Sequence, residues 1–148
     1  MPMKRKGYSF ANHTADVELV ARGKTLDEAF ANAALALFET SADISRISRL
    51  KEKPTILKVK EHSDNLADLL WLMLQDMLSI ADSKGVYAYA VKKMKINHEK
   101  NSYNLYSEFV AKEEKPEYSN IYVKGVSRYD LKVTQTQKAV KITAVLDV

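Results

Sequence analysis

Two aspartates stand out among the residues able to do chemistry. Asp16 closes the polar turn Asn12-His-Thr-Ala-Asp16, and Asp147 follows the apolar run Ala144-Val-Leu146. Both carboxylates fall at the ends of stretches that read as strands. If the first and last strands neighbour one another, Asp16 and Asp147 converge with backbone carbonyls and with the terminal carboxylate of Val148, a group ionised at neutral pH with a pKa near ~3.5. Hard oxygens on short tethers suit Ca²⁺, Mg²⁺ or Mn²⁺ rather than zinc or copper. The plainer alternatives are an Asx turn at Asp16, satisfying local backbone donors, and simple solvation of Asp147. For His13 the first reading is a hydrogen-bonding residue that orients the turn, with direct ligation as the alternative.

Other chemistries fail for want of residues. No glycine spacing approaches a phosphate loop or dinucleotide fingerprint, the three histidines (His13, His62, His98) are too scattered for a helical metal pair, and no Gly-x-Ser-x-Gly elbow occurs. The absence of cysteine excludes disulfides, thiolate zinc sites and a Cys nucleophile. A metal-dependent phosphoesterase built on His13, Asp16 and Asp147 would lack a general acid and a nucleophile. The expectation is therefore a protein that is not itself an enzyme.

A balance of 23 Lys+Arg against 19 Asp+Glu gives a net charge of +4, compatible with RNA or an acidic partner. The basic residues are spread out, with one knot at Lys4, Arg5 and Lys6 and another at Lys92, Lys93 and Lys95. Alternation around the second knot reads as the solvated face of a strand. Tyr87, Tyr89, Tyr103, Tyr106 and Tyr122 invite comparison with base-stacking platforms, although aromatic residues belong in half-buried strands in any case. Lys124, alternating with Val123, reads as an outward strand lysine.

The elements that must position these residues follow from periodicity. A chain of 148 residues with 46% hydrophobic and 28% charged residues has the size and composition of one folded domain, residues 1–148. Segments 7–11 and 17–22 read as strands. Thr25-Leu-Asp-Glu28 is a capping box opening a helix that runs to Glu39 or Thr40 on the apolar positions Ala29, Phe30, Ala33, Ala34, Leu37 and Phe38. An irregular connector, with a turn of helix near 44–47, leads to a strand at 55–61. Ser63 or Asp64 caps a second, largely enclosed helix ending before Gly85. Strands follow at 86–95, 103–112, 121–126, 131–135 and 139–146, with polar loops at 97–102 and 113–120. The class expected is α+β, with two helices packed on a mainly antiparallel sheet. The start of the chain lacks the unbroken apolar region of a secretory signal, and the stretch from Leu66 to Ala81 is interrupted by Asp68, Gln75 and Asp76. No membrane association and a cytoplasmic location are expected.

Phe10-Ala-Asn-His-Thr-Ala-Asp-Val17, Gly23-Lys-Thr-Leu-Asp-Glu-Ala-Phe30 and Ala33-Ala-Leu-Ala-Leu-Phe38 resemble the N-terminal signature of the archease family. Asp64-Asn-Leu-Ala-Asp-Leu-Leu-Trp-Leu-Met-Leu74 is similar to that family's leucine-rich helix. Val123-Lys-Gly-Val-Ser-Arg-Tyr-Asp-Leu131 resembles its lysine-containing strand and turn, and Val145-Leu-Asp-Val148 its terminus. The resemblance implies a strand-helix-strand-strand module elaborated with further strands. It also implies an accessory protein of the RtcB-type RNA ligase of tRNA splicing, which joins exon halves using GTP and Mn²⁺. Such a protein promotes ligase guanylylation and multiple turnover, associating indirectly with tRNA and GTP through the ligase. Carried over, the resemblance assigns a divalent ion, expected as Ca²⁺ with Mg²⁺ or Mn²⁺ as alternatives, to Asp16, Asp147 and Val148. Lys124 and His13 become candidates for ligase activation. The chain departs from the family pattern at Tyr129, where histidine is usual, at Glu18, where glycine is common, and at Gln75-Asp76, near a usual glutamate. The competing functional reading is a small basic RNA-binding module acting as an RNA chaperone.

Overall fold

The computed structural model describes residues 7–11 and 16–148, with Ala11 described by its backbone alone. In chain order the elements are β1 (Tyr8–Ala11), β2 (Asp16–Gly23), α1 (Leu26–Ser41), α2 (Ile44–Ser48), β3 (Thr55–Ser63), α3 (Leu66–Lys84), β4 (Val86–Glu99), β5 (Ser102–Glu113), β6 (Gly125–Val126), β7 (Lys132–Gln135) and β8 (Val140–Asp147). A single 3₁₀ turn, Pro116–Tyr118, lies between β5 and β6.

Local chemistry sets the helix ends. Thr25 Oγ1 accepts from the Glu28 N–H at 3.2 Å, opening α1, while Glu28 Oε1 reaches back to the N–H of Lys24, at 3.4 Å, instead of that of Thr25. Glycine is needed just before this cap, since a Cβ on Gly23 would lie 2.5 Å from the Ala29 nitrogen. The cap of α3 is Asn65, whose Oδ1 accepts from the Asp68 N–H at 2.9 Å. Ser63 and Asp64, the expected caps, are displaced because β3 continues through Ser63. Gly85, at φ 64°, ends α3 in the left-handed conformation that a residue with a side chain resists.

The strands form two antiparallel sheets where one was expected. The first is five-stranded in the order β1-β2-β8-β6, with β7 also pairing β8; the second is three-stranded in the order β3-β5-β4. The β3-α3-β4-β5 portion is the strand-helix-strand-strand module, and the α+β antiparallel class holds. The helices α1 and α3 cover the inward faces, α1 packing against β2, β8 and β4 and α3 against β3, β4 and β5. Phe30, Leu37, Phe109, Leu19, Ile142, Leu146, Met73 and Met77 are fully buried between these layers. The enclosure of α3 is incomplete, with Trp71, Leu72 and Ile80 half-buried at its rim.

Two segments depart from the expected boundaries for tertiary reasons. β4 runs through Asn97, His98 and Glu99 to a two-residue connection, where His98 stacks on Tyr103 with ring centroids 4.3 Å apart. Segment 121–126 is strand only at Gly125–Val126. Its first residue and the one before it cap the end of α1: the Asn120 and Ile121 N–H groups donate to the carbonyls of Ser41 and Thr40 at 3.0 and 3.1 Å.

Candidate functional site

The alternation of β2 and β8 aims the two aspartates. Leu19 and Ala21 on β2, and Ile142, Ala144 and Leu146 on β8, are buried beneath the helices, so Asp16, Glu18 and Asp147 lie on the opposite face. β2 and β8 pair antiparallel with Asp16 directly opposite Asp147. Side chains so opposed on neighbouring strands have Cβ atoms roughly 4.5–5.5 Å apart. It is β2 that neighbours the last strand, whereas the first strand, β1, pairs along the far edge of β2.

The other side of Asp147 is also occupied. Gly125 pairs with it, and the Lys124 N–H donates to the Asp147 carbonyl oxygen at 2.7 Å. The backbone of Lys124 is therefore fixed to the same strand end as the two carboxylates, with its side chain exposed. Val148 is half-buried and packs against the core, so what it can offer the corner is main-chain oxygen. His13 lies outside the described residues. Asp16, Asp147, Val148 and Lys124 are thus brought to one end of the sheet. Glu18 instead lines an open cleft with Asp130, Lys132, Thr134, Lys141 and Thr143.

Two further residues hold this corner. Trp71 Nε1 donates to the Val126 carbonyl oxygen at 2.7 Å, and Gln75 Oε1 accepts from the Val126 N–H at 3.0 Å. Both backbone polar groups of Val126 are thereby satisfied from α3, by side chains four residues apart on one helix face. Arg128 stacks over the Trp71 ring, its guanidinium carbon 3.8 Å from the centroid. The hint in the sequence is a pair of hydrogen-bonding side chains at i, i+4 on a helix rich in leucine and methionine.

The family model described as "Archease protein family (MTH1598/TM1083)" matches residues 8–148. The chain belongs to the archease family. Protein archease of Methanosarcina mazei is 28% identical over 150 residues, covering 100% of both proteins, and that of Sulfolobus acidocaldarius is 27% identical, covering 95% of this chain and 98% of the relative. The solution structure of Methanobacterium thermoautotrophicum protein 1598 superposes with a TM-score of 0.81 at 28% identity, over 97% of this chain and 100% of that one. A Thermotoga maritima crystal structure, described as an archease and possible chaperone, shares the fold with a TM-score of 0.56 at 17% identity, covering 100% of this chain and 99% of that one.

The corner of this archease has the donor chemistry for a hard cation: two carboxylates opposed across a strand pair, beside main-chain oxygens. Among the described residues, no group of three or more His, Cys, Asp or Glu surrounds one point. A cation held here would complete its shell with main-chain oxygen, water or a partner's ligand. Among the described residues, no helix is long and apolar enough to cross a membrane.

Proposed function

We propose that this archease is a non-enzymatic activator of an RtcB-type RNA ligase in tRNA splicing, acting in the cytoplasm through a divalent ion held by Asp16, Asp147 and the main chain of Val148. The observation that carries the reading is the direct opposition of Asp16 and Asp147. Two like charges placed opposite each other on neighbouring strands cost stability, and a divalent cation relieves that cost. When bound, the ion, Ca²⁺ in the first instance and Mg²⁺ or Mn²⁺ otherwise, neutralises the carboxylates and supplies positive charge toward phosphate oxygens. The protein's own part is positioning. β6, fastened by Trp71 and Gln75, keeps Lys124 beside the acidic corner, where its exposed ammonium adds a cation for a phosphate or for an acidic group of the ligase. In the activating step at this corner, RNA and GTP are reached through the ligase.

The test uses the cognate ligase with excess cyclic-phosphate RNA and GTP. Adding the archease is expected to raise both the rate of ligase guanylylation and the number of turnovers. Asp16→Asn and Asp147→Asn are expected to remove that stimulation while the variants stay folded. Unchanged guanylylation and turnover in the presence of the wild-type protein would refute the reading.

A further inference from the structure

The outer face of the three-stranded sheet carries a second, unrelated arrangement. Register places its side chains in three rows across β3, β5 and β4. The first row is Lys58, Glu108 and Lys93; the second is Lys60, Tyr106 and Lys95; the third is His62, Asn104 and Asn97. Lys92 adds a further cation, at a register irregularity in β4. The five lysines are exposed and Tyr106 is half-buried at their centre. Alternation read from the sequence made Lys92, Lys93 and Lys95 a solvated strand face; what it could not show is that Lys58 and Lys60 meet them across β5.

Tyr106 is the hub of this face. The ammonium groups of Lys60 and Lys93 lie 5.8 and 5.6 Å from its ring centroid, and its hydroxyl donates to Glu108 Oε2 at 2.5 Å. Glu108 is the one acid in the three rows, and that hydroxyl occupies one of its oxygens. The hydrogen bond from Tyr106, followed by the charges of Lys92, Lys58 and Lys93, holds its carboxyl below the ordinary value. The positive face is thus only partly compensated from within.

The third row differs in chemistry. His62 Nδ1 and Asn104 Oδ1 are 2.7 Å apart, which leaves the Asn104 amide nitrogen and His62 Nε2 for a ligand. Asn97 stands opposite Asn104, and with Lys60 and Tyr106 these side chains line one shallow groove.

We propose that the outer face of the β3-β5-β4 sheet is a platform for single-stranded nucleic acid. The lysines take the phosphates, Tyr106 offers its ring to a base, and His62, Asn97 and Asn104 offer hydrogen bonds to base edges. An acidic protein surface would use the lysines and leave the ring and the amide row idle. A duplex would keep its bases stacked and out of reach of the tyrosine. The lysines are free to make the exchange, because an ammonium about 6 Å from a ring centroid sits at the outer limit of a cation–π contact, worth little at an exposed site.

The experiment measures anisotropy of labelled single-stranded RNA and DNA of about 12 nucleotides with the full chain, from about 50 to about 200 mM salt. The same sequence as a duplex, and polyglutamate as a competitor, are the controls. Both single strands are expected to bind better than the duplex and to resist polyglutamate; either ranking of RNA against DNA supports the platform and says whether the 2′-hydroxyl is read. The variant Lys60→Gln/Lys93→Gln is expected to reduce the slope of log affinity against log salt by about 1.4 units, two ionic contacts on a single strand. Tyr106→Leu should weaken binding roughly tenfold, while Tyr106→Phe stays within about twofold. Asp147→Asn is expected to bind normally, so the proposal stands or falls apart from the ligase reading. Four results would overturn it: no binding at low salt, an unchanged salt slope in the lysine variant, equal binding by the two Tyr106 variants, or displacement by polyglutamate as effective as by the unlabelled strand.

Discussion

Asp16 and Asp147 stand directly opposite one another across β2 and β8, each at the end of its strand. Opposed like charges are destabilising by up to about 1 kcal/mol, so Asp147→Asn is expected to raise the unfolding midpoint of the metal-free protein slightly. With a divalent ion the order reverses. A ligand at ~100 times its dissociation constant adds about 2.7 kcal/mol to the state that binds it, which the wild type gains and Asp147→Asn does not. Thermal unfolding in EDTA and in millimolar Ca²⁺ or Mn²⁺ reads both effects. A wild-type midpoint indifferent to every divalent ion would remove the metal from the mechanism.

Glu61 on β3 and Asp76 on α3 form a second acidic pair. Burial, reinforced by a hydrogen bond with Asp76 and by that group's charge, pushes the Glu61 carboxyl up from 4.5 to about 8, and Glu61 Oε2 is buried with no hydrogen-bond partner. The folded protein therefore holds a proton between pH 4.5 and 8 that the unfolded chain has released. The contribution of Glu61 to stability therefore falls as pH rises through that window and levels off on either side. Glu61→Gln, which keeps the shape and stays neutral, is expected to flatten this dependence and to unfold later than the wild type at pH 8. Chemical denaturation of both proteins at intervals from pH 4.5 to 8.5 checks the slope.

Lys112 is a buried lysine, 4% exposed. Its ammonium donates to the carbonyls of Ile47, Ser48 and Leu50 at 3.0, 3.3 and 2.7 Å and lies 4.9 Å from the Tyr89 ring centroid. It caps the C-terminal end of α2 and ties that helix to the three-stranded sheet. Lys112→Met preserves the length and deprives the carbonyls of their donor, with an expected cost of about 1–3 kcal/mol. Hydrogen exchange should accelerate in residues 44–50 more than elsewhere. Uniform acceleration would show that the cap is not what holds α2.

What the sequence reveals here depends on how far apart the interacting groups lie along the chain. Thr25 and Glu28, and Gly85 at the end of α3, act within one helical turn, and their roles are readable from residue type alone. The strand at 121–126 is misread because Asn120 and Ile121 bond to the end of α1, some 80 residues away. Lys112 reads as the end of a strand, since its partners are more than 60 residues distant. The acidic corner falls between these cases. The two aspartates are conspicuous as strand-end acids, but their meeting depends on β2, and not β1, lying beside β8. The basic platform is the same problem on the other sheet, since Lys58 and Lys60 reach Lys93 and Lys95 only across β5.

Gln75 gives the sharpest test of how the corner is held. Its Oε1 accepts from the Val126 N–H, and Val126 follows Gly125, which pairs with Asp147. The interaction needs an acceptor at this position and does not need an amide. Gln75→Glu keeps an acceptor, and a carboxylate accepts more strongly than an amide. Gln75→Leu has a similar size and no acceptor, leaving the Val126 N–H unpaired in a half-buried setting at a cost of about 1–3 kcal/mol. Exchange of the Val126 amide is therefore expected to stay slow in Gln75→Glu and to accelerate by one to two orders of magnitude in Gln75→Leu, a factor of ten for each ~1.4 kcal/mol. If the corner acts on the ligase through Lys124, stimulation of guanylylation should fall in Gln75→Leu and survive in Gln75→Glu. Equal loss in both would mean that the amide itself is required, and equal retention would mean that Trp71 alone suffices to hold β6.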